Sequence, residues 1–248
     1  MDLSGKYVLG IKIDIGGSYE VLYYNLQLGA CDGSNTHAQG MLESLKNILG
    51  DDNVLVPVAL SKQNSGYSHT NAKIKEYLKK ILIPFRIIRR KKISKDQTKK
   101  IVNYLHDRNF NPDIILARSV LYDETPIMLK NILKCRLVIE HNTPLVYEVC
   151  DIKKMDKKKN VKQFEEKILN EADGIYCVSN VLRQILVKSY GNNILAKTIS
   201  IPNGYIAKLY SDINEEELKK EYTNNLKHFH TLYIYRIEML SYLIDYEI

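Results

Sequence analysis

Several ionisable side chains of this 248-residue chain stand directly after apolar runs, where loops carry functional groups. Glu140 and His141 follow the apolar residues 137–139, and Glu148 comes a few residues later. A histidine and a carboxylate in one crevice can move protons to and from a substrate, so His141 is a candidate acid or base. The alternative is that His141 hydrogen-bonds a ligand hydroxyl or packs structurally, with no part in catalysis.

Arg118 ends the apolar run Ile114–Ala117 and is the second catalytic candidate. A guanidinium at the end of a buried strand needs an anionic partner, because an unpaired buried charge is costly. The partner is either a substrate group or a structural carboxylate such as Glu140. The sequence alone leaves both assignments open.

A loop of small and polar residues occupies 29–36 and includes Gly33 and Ser34. Small residues before a helix allow backbone N–H groups to approach a phosphate or a sugar. The loop matches neither GxGxxG nor GxxxxGK[ST], so it is not a recognised phosphate motif. It is equally well explained as a turn with an N-cap from Asn35 or Thr36.

The four cysteines show no metal-binding or disulfide pattern, since none forms a CxxC pair and no Cys/His spacing suggests zinc. We therefore expect free thiols, no bound metal and no bound cofactor. No segment has the order of a signal peptide, and no apolar run approaches the ~20 residues that span a bilayer. These features predict a cytoplasmic protein.

The net charge of +7 is uneven and favours anionic partners. Six basic residues lie within 86–95 and six within 153–162. Contact with a membrane surface is one interpretation of these clusters, and solvated helix ends are the other. Binding to nucleic acid is not expected, because base stacking requires exposed aromatic residues and 86–100 contains none.

The spacing of apolar residues alternates between strand-like runs and helical stripes along most of the chain. Helical spacing occurs in 37–49, 74–82, 101–105, 126–133, 161–172 and 181–187. The predicted strands are Val21–Asn25, Val54–Leu60, Pro84–Arg90, Ile114–Ala117, Leu137–Glu140, Ile175–Val178 and Thr198–Ile201. This alternation predicts an α/β, Rossmann-like three-layer domain with a mainly parallel sheet, whose ligands bind beyond the carboxyl ends of the strands.

Residues 165–204 contain an ordered set of short motifs. They are Glu165 on a predicted helix, the pair Ala172-Asp173, the strand end Val178-Ser179 and the turn Ile201-Pro202-Asn203-Gly204. Each piece alone could simply end a helix or make a turn. As an ordered set they resemble the end of the N-terminal domain in GT-B glycosyltransferases of the group-1, family-4 type. The resemblance extends back through Glu140-His141-Asn142, Arg118 and Gly33-Ser34.

This resemblance implies one half of a GT-B fold, in which the N-terminal domain mainly binds a glycan or lipid-linked acceptor. The second domain of such enzymes holds the nucleotide-sugar donor, and transfer occurs between the domains, usually without a bound metal. The substrate-binding residues that it implies are Gly33, Ser34, Arg118, Glu140, His141, Ser179, Asn203 and Gly204.

We expect an acceptor-side domain over 1–212 and an extension over 213–248 that is helical or non-native. The roughly 40 residues after Gly204 are too few for a second domain of ordinary size. We therefore expect little or no sugar transfer until a donor-binding domain is supplied. The alternatives are a non-catalytic acceptor-binding subunit, whose partner chain carries the donor-binding domain, and a nucleic-acid-binding α/β protein.

Overall fold

The structure, a computed structural model, describes residues 6–8, 11–13, 19–29, 33–57, 83–154 and 156–201. Within these ranges the chain forms one six-stranded sheet and a separate antiparallel pair, β1 (Lys6–Val8) with β2 (Ile11–Ile13). The strands of the large sheet are β3 (Val21–Tyr24), β4 (Val54–Leu55), β5 (Ile114–Arg118), β6 (Arg136–His141), β7 (Gly174–Cys177) and β8 (Thr198–Ser200).

The large sheet has the strand order β4-β3-β5-β6-β7-β8, and every neighbouring pair is parallel. Parallel neighbours need a crossover between them, so the carboxyl ends of all these strands lie at one edge. The order reverses direction between β3 and β5, which creates a topological switch point at that edge. The α/β Rossmann-like fold predicted from the sequence is confirmed.

Helices cover both faces of the sheet. They are α1 (Gly33–Leu49), α2 (Ile83–His106), α3 (Thr125–Leu133), α4 (Lys158–Glu171), α5 (Asn180–Tyr190) and the short α6 (Asn192–Leu195). A 3₁₀ turn at Asp51–Asn53 and a π-helical segment at Tyr147–Ile152 complete the described helical residues. In this part of the chain no helix is both long enough and apolar enough to cross a bilayer.

The alternation of side chains along each strand divides the core into two layers. Leu22 and Tyr24 of β3 point to the larger layer, which includes residues of α2, α3, α4, α5 and α6. Val21 and Tyr23 point to the smaller layer, where Leu45 of α1 packs. All four residues of β3 are buried, as a strand that is covered on both faces requires.

The predicted strand at Pro84–Arg90 is wrong, because these residues lie in the first turns of α2. Phe, Ile and Arg in this stretch fit an edge strand by composition. The burial instead repeats with a helical period, since Ser94, Thr98, Ile101 and Leu105 face the protein. These buried residues pack against the rest of the protein as one side of a helix, and that helix continues toward the N-terminus through 84–90.

Other predicted elements differ from the structure in extent. Helix α1 begins at Gly33 rather than at His37, which places Asn35 inside the first turn with its Oδ1 accepting a hydrogen bond from the Gly29 N–H at 2.8 Å. Strand β4 ends at Leu55. The predicted helix at 74–82, the turn residues Asn203 and Gly204, and the domain boundary at 212–213 lie outside the described residues.

Asp123 is a buried carboxylate that joins three elements. It accepts hydrogen bonds from the Tyr24 hydroxyl of β3 at 2.7 Å and from the Ser94 hydroxyl of α2 at 3.1 Å. It also accepts the backbone N–H of Thr125 at 3.0 Å, at the start of α3. Burial, and then the Asp123 charge, raise the pKa of Tyr24, so this hydroxyl remains a donor. Asp123 therefore fixes α2 and α3 against the carboxyl end of β3.

We expect Asp123→Ala to lower the free energy of unfolding by about 3 kcal/mol, because several buried donors lose a charged acceptor together. Urea unfolding followed by circular dichroism measures this. Asp96→Ala, at an exposed position of the same α2, is the matched control and should change stability by less than about 0.5 kcal/mol. Equal stability of the two variants would contradict the anchoring role.

Candidate functional site

The candidate site lies at the carboxyl edge of the sheet, beside the switch point between β3 and β5. Arg118 ends β5, and Glu140 and His141 end the neighbouring β6. The register pairs Arg118 with Glu140, so the two predicted site residues are adjacent across the strands. Because successive residues point to opposite faces, Glu140 and His141 serve two different layers of the protein.

Glu140 contacts several polar side chains on the face of the sheet that α1 covers. Its Oε1 lies 2.9 Å from His37 Nε2, accepts a hydrogen bond from Asn142 Nδ2 at 2.7 Å and lies 3.7 Å from Arg118 Nη1. The Glu140 side chain is fully covered, whereas those of His37 and Arg118 keep 14% and 16% of their surface exposed. The carboxylate thus positions two side chains, His37 and Arg118, that are each partly exposed.

The Glu140 carboxylate is held in its charged form. Burial alone would raise its pKa, but the hydrogen bond and attraction of His37, with smaller effects of Tyr176 and Arg118, lower it below the ordinary value. The Tyr176 hydroxyl lowers the pKa of Glu140 although the two groups do not form a hydrogen bond of normal geometry. Among the described residues, Glu140 Oε2, Arg118 Nη1 and the Tyr176 hydroxyl are buried polar atoms with no hydrogen bond of normal geometry.

His141 lies in a second network on the opposite face, where α4 packs. Its Nδ1 is 3.0 Å from the Ser119 hydroxyl, and its Nε2 is 2.8 Å from Glu165 Oε1. Both ring nitrogens are therefore engaged, and the side chain has no exposed surface. Ser119 is partly exposed whereas His141 is covered, so His141 can act on a bound molecule only through Ser119.

Glu165 is the anchor of this second network. Besides His141, it accepts the Leu145 N–H at 2.7 Å, the Val146 N–H at 3.4 Å and the Tyr190 hydroxyl at 2.6 Å. Burial opposes ionisation, but the hydrogen bonds from His141, Tyr190 and Leu145 outweigh it and lower the pKa of Glu165. One carboxylate thereby ties α4 to β6, to the loop after β6 and to α5.

The remaining predicted site residues have identifiable structural positions. Ser179 is the N-cap of α5, where its hydroxyl accepts the Leu182 N–H at 3.1 Å. Gly33 and Ser34 are the first two residues of α1. Asn203 and Gly204 fall outside the described residues. The structure thus brings Arg118, Glu140 and His141 together and gives Ser179 a capping role.

Sequence reasoning did not select His37, Ser119, Glu165 or Tyr190 as site residues. Glu165 was visible only as part of the 165–204 motif set, and its partners are 24 and 25 residues away in sequence. His37 lies 103 residues from Glu140. The available signal was indirect: a glutamate on the apolar stripe of α4 would be buried and would need donors.

The described residues offer little chemistry of other kinds. They contain no group of three or more His, Cys, Asp or Glu side chains that could hold a metal ion. Burial raises the pKa of the Cys177 thiol to about 12 and that of Cys135 to about 11. Both thiols therefore stay protonated at neutral pH and are poor nucleophiles.

Comparison of the chain with known proteins finds a weak structural similarity. No protein-family profile matches the chain, and no curated protein sequence is significantly similar to it. A crystal structure of a glycosyltransferase from Rickettsia africae ESF-5 is similar with a TM-score of 0.45 and 16% sequence identity. The match covers 84% of this chain and 49% of that protein, so this chain spans about half of its length.

We expect the stabilisation from Glu165 to depend on pH. Its lowered pKa means that the contribution is complete above the unfolded value of about 4.3 and is lost as pH falls through the native value. Glu165→Gln should cost about 3 kcal/mol at neutral pH and should flatten the acid limb of the stability profile. Urea unfolding at a series of pH values between neutral and strongly acidic conditions measures both effects.

Glu166→Gln is the matched control, because it removes the same charge from the next, exposed position of α4. This variant should keep the acid limb of the wild-type profile. If Glu165→Gln and wild type lost stability in parallel as pH falls, the ionised carboxylate would not be the anchor of the network.

Proposed function

We propose that this chain is the acceptor-side half of a two-domain glycosyltransferase, which transfers a sugar from a nucleotide-sugar donor to a glycan or lipid-linked acceptor. The observation that carries the proposal is that two motif residues, Glu165 and Ser179, support the sheet edge at which Arg118, Glu140 and His141 lie. Glu165 holds His141, and Ser179 caps the helix that follows β7.

Asp173, of the same motif set, supports the proposal from the other end of the strands. Its Oδ2 accepts the Leu137 N–H at 2.8 Å, and its Oδ1 pairs with Lys130 at 3.0 Å. These contacts link the segment before β7 to the start of β6 and to α3. The motif residues therefore cooperate in setting β6 and β7 side by side, as an ordered family pattern would require.

The Glu140 cluster has the chemistry of a polyhydroxylated ligand site. The side chains of His37 and Arg118 are partly exposed, and Asn142 is half-buried beside them, so the cluster offers donors and acceptors for sugar hydroxyls. Arg118 adds a positive charge that would favour an acceptor with a phosphate or carboxylate. Its charge is only partly met by Glu140, because their separation is 3.7 Å.

In this proposal the donor nucleotide-sugar is bound by a second domain, in the same polypeptide or in a partner chain. The groups described above orient the acceptor and exclude water around it, and Ser119 is the partly exposed hydroxyl that His141 holds in place. No bound metal is required of these residues. A nucleotide-sugar donor also fits a cytoplasmic location, where such donors are made.

We expect the purified 248-residue chain to bind glycans on a printed array in the absence of any nucleotide-sugar. Arg118→Gln should weaken binding of phosphate- or carboxylate-bearing glycans by about tenfold, because a charge-assisted contact is lost. His37→Ala should weaken binding of neutral glycans as well, by a smaller factor. Arrays followed by calorimetric titration of the best ligand measure both effects.

Lys134→Gln is the control, since it removes an exposed positive charge at the amino-end edge of the sheet. It should bind glycans as the wild type does. If the wild type bound nucleotide-sugars but no glycan, or if Arg118→Gln and Lys134→Gln bound equally, the acceptor-side assignment would be wrong.

A further inference from the structure

The two basic clusters of the sequence meet in the folded protein. Arg86, at the start of α2, forms an ion pair with Asp156 at 2.7 Å, although the two residues are 70 positions apart. The Tyr122 hydroxyl donates to the same Asp156 oxygen at 2.7 Å, and the Arg86 guanidinium lies 5.9 Å from the Tyr122 ring centroid. This junction joins the basic residues of 86–95 to those of 153–162.

The junction is packed against the domain. The Tyr122 ring makes an edge contact with Phe164 of α4, with ring centroids 5.4 Å apart, and the Asp156 side chain is fully covered. Asp156 is the only acidic residue within 85–95 and 152–162. Its charge is directed inward, so the outward charge of these two segments is entirely positive.

Exposed apolar side chains stand among these cations. Phe85 and Ile88 of α2 expose 67% and 66% of their surface, and Ile152 exposes 47%. On α2, the positions 85, 88 and 92 recur at helical spacing and share one outward face with Arg89. The large exposed residues of a water-facing helix are usually polar, so an aromatic and an isoleucine beside Arg89 and Lys92 need an explanation.

The same side of α2 continues into a groove of about 470 Å³ that α2 forms with α3. Lys95 and Lys99 line it together with the apolar side chains of Val102, Met128 and Ile132. Lysine side chains therefore lie beside apolar side chains at this groove too, farther toward the C-terminus of α2. Cations and apolar side chains thus adjoin over several turns of α2, with the exposed Asp96 as an acidic residue among them.

We propose that this basic surface, formed by the exposed residues of 85–95, 152–154 and 156–162, docks the protein on an anionic phospholipid membrane. Lysine and arginine side chains would contact the headgroups, while Phe85, Ile88 and Ile152 would enter the headgroup–acyl boundary. The charge complements an anionic leaflet, and the apolar residues complement the region beneath the headgroups. Two lysines of the surface also pair locally, Lys153 with Glu148 and Lys158 with Asp151.

A membrane explains these features better than a nucleic acid does. Phosphate contacts account for the cations and base stacking would account for the exposed Phe85, but both leave the exposed Ile88 and Ile152 without a role. The surface also adjoins the carboxyl edge of the sheet, because Tyr122 lies in the loop after β5. Docking would therefore bring the Glu140 cluster near the lipid headgroups, although the docking itself does not depend on the proposed transfer activity.

The test is co-sedimentation of the full chain with vesicles of phosphatidylcholine alone and of phosphatidylcholine mixed with an equal amount of phosphatidylglycerol. We expect binding to the anionic vesicles only, weakened by added salt. The Arg89→Gln/Lys92→Gln double variant should bind at least about tenfold more weakly, since each cation near the surface contributes about fivefold. Phe85→Ser/Ile88→Ser should also bind about tenfold more weakly and should lose the salt-resistant fraction.

Lys134→Gln/Arg136→Gln removes the same charge from exposed positions at the opposite edge of the sheet and should bind as the wild type does. All four positions of the two test variants are exposed, and thermal unfolding checks that each variant is folded. Equal binding by the control and the two test variants would overturn the proposal. So would wild-type binding to single-stranded RNA without binding to anionic vesicles.

Discussion

The buried contact between Glu165 and His141 is the interaction on which the carboxyl edge of the sheet depends. A carboxylate with no access to water persists only when several donors surround it. Glu165 meets this condition by drawing groups from the end of β6, from the following loop and from α5. Removal of any one donor leaves a buried charge less satisfied, so the elements that supply them hold one another in place.

The end of β6 extends this arrangement to both sides of the sheet. Glu140 and His141 are consecutive, and the pleat sends them to opposite faces. Glu140 gathers His37, Asn142 and Arg118 on the α1 side, while His141 reaches Glu165 on the α4 side. A two-residue strand end thus organises two polar networks with different partners. The first presents partly exposed groups, and the second is a covered support.

Much of the fold followed from local patterns. Strands β5 and β6 are built around short apolar runs, Ile114–Ala117 and 137–139, and parallel strands that are covered on both faces need this composition. The stretch 84–90 misled the interpretation because its Phe, Ile and Arg residues suit a strand locally. Packing against α3 and the sheet, through residues up to Leu105, decides that it is helix. Local propensity is weak where such tertiary contacts are many.

By itself, the sequence determined the α/β alternation, the parallel sheet and the location of Arg118, Glu140 and His141 at its carboxyl edge. These features depend on the period and length of apolar runs, which are local properties. Only the tertiary structure decided that His37 joins Glu140, that Glu165 holds His141, and that the two basic clusters meet through Arg86 and Asp156. These pairs are separated by 103, 24 and 70 residues. Contacts of that range form only when the sheet order and helix packing bring distant segments together.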